Sequence, residues 1–173
     1  MNLPVIISII LVSVFLVFIC IFSISKNYRK LSKLQSIVKE SYSTLEIFLD
    51  KRTEIISKMV DLFEPEDIKK AEIATILNIF TQLKNNQENN KRFSLEASLT
   101  TALDGAENVL KNIHLDDTDF IQLVLNCNYV QDDLKRARNY YNNNVEAYNK
   151  KLNSFPANIA ARLFKFKKEF YIK

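Results

Sequence analysis

Side chains able to do chemistry are few in this chain, and they are scattered. The single histidine, His114, stands near Asp116, Asp117 and Asp119, and an imidazole among carboxylates is a set that can hold a divalent metal. A second imidazole is missing, and the acidic run lacks the glycine and distal glutamate of a calcium loop. These aspartates are better read as the cap and first turn of a helix, where carboxylates meet free backbone N–H groups. The two thiols, Cys20 and Cys127, fall in an apolar segment and on a helix, too far apart for an easy disulfide. No serine or cysteine nucleophile has a histidine nearby, and neither a glycine-rich phosphate loop nor a cysteine cluster occurs. No metal, cofactor or catalytic residue is expected, and the chain is not expected to be an enzyme.

Charged groups in unusual settings are more informative. Arg52 and Arg138 interrupt stripes of apolar residues. The C-terminal stretch sets Arg162, Lys165, Lys167 and Lys168 among Phe164, Phe166, Phe170 and Tyr171. Three readings suit such a basic-aromatic tail: contact with an anionic membrane surface, packing against the end of a helical domain, or nucleic-acid binding. A net charge of +4 is too small to favour nucleic acid by itself.

The elements that must carry these residues begin with an apolar segment. From Leu3 to Ser25 there is no charged side chain, and Val5 to Ile24 is nearly all Ile, Val, Leu and Phe. About 20 residues at 1.5 Å each span roughly 30 Å, the hydrocarbon thickness of a bilayer. In lipid only a helix satisfies its own backbone in a single segment, so the β-branched residues do not argue for a strand. A cleaved signal peptide is the rival, with Ser23 and Ser25 as cleavage-site residues, although Met1 to Pro4 lacks the usual basic residue. Lys26, Arg29, Lys30 and Lys33 crowd the C-terminal flank, which predicts an N-terminus outside and a cytoplasmic domain.

One glycine and three prolines in 173 residues leave too few turn formers for a sheet, and the domain reads as all-α. Leu31, Leu34, Val38, Leu45, Phe48, Ile55, Met59 and Leu62 recur in steps of three and four, with Ser41 and Arg52 in the remaining seats. The Glu64–Asp67 segment ends this helix. A second helix is predicted from about Pro65 to Lys84 on Ile73, Ile76, Phe80 and Leu83, followed by a polar loop over Asn85–Asn90. The third starts near Ser94, whose hydroxyl can cap it, and buries Leu95, Leu99, Ala102, Ala106, Leu110 and Ile113. Gly105 inside it is read as a close helix approach rather than a ligand site. The fourth opens at Asp116–Asp119, carries Phe120, Val124, Cys127, Gln131, Leu134, Arg138, Tyr141, Val145, Tyr148 and Leu152, and ends at Phe155 and Pro156.

Long first and last helices around a shorter pair predict an antiparallel up-and-down four-helix bundle. The domains are then residues 1–25, 26–153 and 154–173: anchor, bundle and basic-aromatic tail. Helix four would bring the tail back to the membrane end, and Arg162, Phe164, Lys165, Phe166, Lys167 and Lys168 are its expected surface contacts. In that arrangement Arg138 lies level with Glu40, and the two are expected to form an ion pair that fixes helix register. The alternative is that Arg52 and Arg138 both snorkel to water.

The chain also resembles a known family. Ala137, Arg138, Asn139, Tyr140, Tyr141 and Asn142, then Val145, Tyr148 and Asn149, then Phe155, Pro156, Asn158, Ala161, Leu163, Phe164 and Phe166 are similar to the A-R-x-x-Y-N, Y-N and F-P-x-N-x-x-A-x-L-F-x-F run of LemA proteins. Val38, Glu40, Tyr42, Ser43, Leu49, Lys51, Arg52, Ile55, Ile56 and Val60 resemble a second, N-terminal segment of that family. Ser57 and Lys58 replace its Pro-Asn, so helix one should be straighter. Arg162 and Lys165 stand where the tail usually has glycines, so the tail is expected to be helical. The resemblance implies an N-terminal anchor and a cytoplasmic helical bundle, and it implies no agreed reaction.

Together these readings predict a single-pass membrane protein acting as a non-enzymatic scaffold or adaptor. Its partners would be the lipid bilayer and an unidentified protein. The rival functions are an accessory subunit of a membrane protease or envelope-maintenance system, and a membrane-shaping protein that self-associates.

Overall fold

The computed structural model describes residues 3–63, 67, 70–85, 89–112 and 118–172. Glu64 to Glu66, residues 86–88, Ile113, His114, Asp116, Asp117 and Lys173 lie outside the described residues. Within those described, all regular structure is helical: α1 (Leu3–Asp61), α2 (Ala71–Asn85), α3 (Asn89–Asn112), α4 (Thr118–Asn153) and α5 (Ala157–Leu163).

The apolar segment and the first domain helix are one element, since α1 runs unbroken for 59 residues. After Pro4, which suits a first helical turn, no proline or glycine occurs before Pro65, so nothing in this stretch interrupts the hydrogen-bond ladder. Of the second helix the structure describes Ala71–Asn85, with Lys70 in a bend and Asp67 helical, and its expected start near Pro65 lies outside the described residues. One expected boundary moves. Helix three begins at Asn89, not Ser94, so part of the asparagine run is helical. Asparagine competes for backbone groups only modestly, and the Leu and Ala positions that follow carry the helix back through it.

The chain divides into two compact units: residues 43–140 with 172–173, and residues 1–42 with 141–171. In the first, segments of α1 to α4 share one apolar core of Leu45, Leu49, Ile56, Ile73, Ile76, Phe80, Leu99, Leu103, Ala106, Phe120, Val124 and Val130, among others. The seat pattern of α1 holds into its polar positions, because Ser41 and Arg52 are each only 1% exposed. Ser41 satisfies its hydroxyl on the Val38 carbonyl at 2.8 Å. Gly105 is corrected: it is exposed, and a Cβ built there would meet nothing within 4 Å.

In the second unit the large apolar side chains from Ile7 to Phe22 are all exposed, by 47–67%. Among the described residues, α1 is the one helix long and apolar enough to cross a membrane. Past it, Leu31 and Val38 of α1, Val145, Tyr148 and Leu152 of α4, and Ala157, Ala160 and Ala161 of α5 are buried. The tail is helical only through Leu163. Lys165 adopts a left-handed backbone, φ 56°, and residues 166–172 beyond it have no regular structure.

That ending has a definite geometry. The Phe166 N–H donates to the Ala161 carbonyl at 3.0 Å and the Lys165 N–H to Arg162 at 3.4 Å, the paired bonds of a Schellman turn. Loss of glycine does not extend the helix, because lysine itself takes the left-handed position at a cost of about 1–2 kcal/mol.

Candidate functional site

Within residues 43–140 the polar residues converge on Arg52. Its guanidinium pairs with the Glu96 carboxylate, and the two side chains are 2% and 8% exposed. It also donates to the Thr100 hydroxyl at 2.7 Å and the Gln131 amide oxygen at 3.1 Å. Gln131 passes the network on to Asp104 at 3.1 Å, and Arg92 links Glu96 to Asp50 at 3.9 and 3.2 Å. Arg52 therefore does not snorkel. It is neutralised in place, which the low dielectric of a core requires.

A cleft of about 240 Å³ opens beside this network, lined by the apolar Leu45, Leu49, Phe93 and Leu134 and by the polar Thr100, Gln131, Lys135 and Arg138, among others. Glu40 is exposed and Arg138 half-buried. A buried arginine–glutamate pair joins Arg52 to Glu96, and sequence reasoning missed Glu96. A signal was there: Glu96, Leu99, Leu103, Ala106 and Leu110 are spaced by three and four, so the glutamate occupies the seat before Leu99. Cys127 is buried nearby, and desolvation raises its thiol to about 11 despite the Arg52 charge. It is a packing residue rather than a nucleophile.

A different arrangement holds the tail in the other unit. Tyr141, Tyr148 and Asn149 lie seven and eight positions apart on α4, hence on one face. The Tyr148 hydroxyl donates to the Lys167 carbonyl at 2.8 Å, and the Tyr141 hydroxyl to the Phe170 carbonyl at 3.0 Å. Asn149 donates to the Glu169 carbonyl at 2.8 Å and accepts the Glu169 N–H at 3.1 Å. All four bonds go to the tail's backbone. Both phenols are raised above the usual tyrosine value, chiefly by burial, with Glu169 adding to it and Tyr42 adding further at Tyr141. They thus stay protonated and remain donors.

These bonds leave the tail's cationic side chains turned to solvent. Arg162, Lys165, Lys167 and Lys168 are exposed, Phe164 is 51% exposed, and Phe166 is half-buried. Tyr28, just past the charge-free run, stacks against Phe164 with ring centres 4.5 Å apart and against Phe166 at 5.7 Å. The structure thereby joins the basic-aromatic tail to the flank of the apolar segment.

The sequence profile of the LemA family matches residues 41–173. The chain belongs to the LemA family. No curated protein matches it. The match leaves the apolar segment outside and covers both the Arg52 network and the tail clasp. In this LemA chain, the residues resembling the Y-N and second Y-N runs are the clasp itself, Tyr141, Tyr148 and Asn149. Arg52, from the N-terminal resemblance, is the centre of the buried network. Asp119 sits in the first turn of α4, in keeping with the capping reading. Among the described residues no group of three metal-ligating side chains gathers.

Proposed function

We propose that this LemA-family chain is a membrane-anchored, non-enzymatic scaffold or adaptor. Its helical domain would be cytoplasmic and its tail would lie on the membrane surface. The observation that carries the reading is the stacking of Tyr28 on Phe164 and Phe166, which ties the cationic tail to the residues just past the apolar helix. That helix shows hydrocarbon on every side, as a lipid-facing span would. Orientation follows from Lys26, Arg29, Lys30 and Lys33 on its C-terminal flank. We read α1 to α4 as an antiparallel up-and-down bundle, because they are joined by short connections and contribute to a shared core. Glu40 with Arg138 remains part of this reading as a register pair.

Arg52, Glu96 and Asp104 are engaged with one another through hydrogen bonds and an ion pair, which favours a holding role over turnover. Crosslinking in native membranes tests the function: a recurrent protein neighbour supports an adaptor, whereas recovery of the chain with itself alone supports membrane shaping. A neighbour that is a protease would make it an accessory subunit. Turnover by the purified chain would overturn the reading. Topology is tested by Asn90→Cys in intact cells, where an impermeant thiol reagent should fail to label; efficient labelling inverts the orientation.

A further inference from the structure

We infer that the surface formed by the tail and the flank of α1 is a binding site for anionic lipid headgroups, which it gathers around the anchor. This rests on the reading that the tail lies on the membrane, and it adds a preference for acidic lipid. Four cations come from α1, Lys26, Arg29, Lys30 and Lys33, and four from the tail, Arg162, Lys165, Lys167 and Lys168. All are exposed, and among the described residues none has a side-chain hydrogen bond or ion pair. Elsewhere three arginines pair with acids: Arg52 with Glu96, Arg92 with Asp50, Arg136 with Asp133. Acids are scarce in these two segments, since none precedes Glu40 and Glu169 is the only one after Asn153.

The two segments are one surface because the aromatic stack of Tyr28, Phe164 and Phe166 joins them. Apolar groups accompany the charge. Phe155 is 80% exposed, Leu163 61% and Phe164 51%, a pattern that water disfavours and that an interface of headgroups and acyl chains accommodates. Nucleic acid would supply the same phosphate charge. The location decides against it, because the cationic surface begins where a bilayer-length apolar helix ends, within one Debye length of any headgroup layer there.

The chain has no tryptophan, so Phe164→Trp introduces a single probe with an aromatic ring kept against Tyr28. The full-length variant is placed in nanodiscs of phosphatidylcholine and phosphatidylglycerol, with brominated acyl chains on one lipid or the other at equal mole fraction. Stronger quenching from brominated phosphatidylglycerol is the expected result. Equal quenching from both lipids would overturn the lipid preference while leaving the tail on the membrane. Absence of quenching from either would overturn both readings. Protection of the probe by a single-stranded oligonucleotide, with no lipid preference, would make nucleic acid the occupant and also overturn the proposal.

Combining Arg162→Gln, Lys165→Gln, Lys167→Gln and Lys168→Gln should remove most of the preference, each cation being worth about fivefold in binding at an acidic surface. The clasp bonds the tail's backbone, so these changes leave it seated, and resistance of the tail to protease checks this. An undiminished preference in a protease-resistant variant would sink the proposal.

Discussion

Between Ser43 and Tyr140 the fold is held by side chains meeting side chains, whereas around Tyr141 to Tyr171 α4 holds the tail by its peptide groups. In the first region, seat by seat, Leu45, Leu49, Ile56, Leu99 and Phe120 are closed off from water, and the charged interruption at Arg52 is matched by Glu96. In the second, Tyr148, Tyr141 and Asn149 bond carbonyls and an N–H, and leave Lys167, Lys168 and Phe170 exposed. The lesson is about which residues are free to serve a function. Where side chains hold the fold, a substitution is a folding event; where the backbone is held, the surface can change without loss of position.

The sharpest break of this contrast is Glu96→Ala. It strands the Arg52 guanidinium in the core and should cost about 3–5 kcal/mol, read by chemical denaturation of the full chain in detergent. The double replacement Arg52→Met with Glu96→Leu should recover most of that loss, since the charge is removed with its partner. Asn149→Ala comes next. It deletes two hydrogen bonds at about 0.5–1.5 kcal/mol each, and limited proteolysis should show the tail cut first while the denaturation midpoint moves less than for Glu96→Ala.

Glycine exchanges in opposite senses sharpen the comparison further. Gly105→Ala should stabilise α3 by about 0.8–1 kcal/mol, because the added methyl meets only open space. Lys165→Gly should stabilise the tail turn by about 1 kcal/mol, because glycine takes the left-handed backbone without strain. Both are read as raised denaturation midpoints. The smallest effect near neutrality is that of pH. The folded chain holds the Cys127 proton up to about 11 against 9.0 for the ordinary thiol. Stability is therefore unaffected below pH 9 and falls as pH rises from 9 towards 11. Tyr141 and Tyr148 act in the same direction above the usual tyrosine range, and their ionisation turns donors into acceptors and frees the tail. Tail proteolysis across that range checks it.

Much of the helical domain was legible because helix burial is periodic. The stripe on α1 locates even Ser41 and Arg52, and that on α4 locates Phe120 through Leu152. Glu96 was not legible by residue type, since a glutamate in a core seat looks like one on a solvated face until its partner is known. Gly105 misled for the reverse reason: a glycine can mark a close approach or simply a tolerated cost, and sequence does not separate the two. The Tyr and Asn spacing of the C-terminal signature stood out, but its purpose did not. The groups it binds are carbonyls and an N–H, which every residue possesses, so the tail carries no matching pattern to be read.

Backbone recognition leaves a problem of register that one feature solves. A stretch bonded at its peptide groups could slide one residue along the clasp and form the same kinds of bond, yet each slip would present a different set of side chains outward. The Schellman turn at Lys165 is a fixed index from which the following residues are counted. It sets which carbonyls meet Tyr148 and Tyr141, and with that which of the lysines and aromatics face outward.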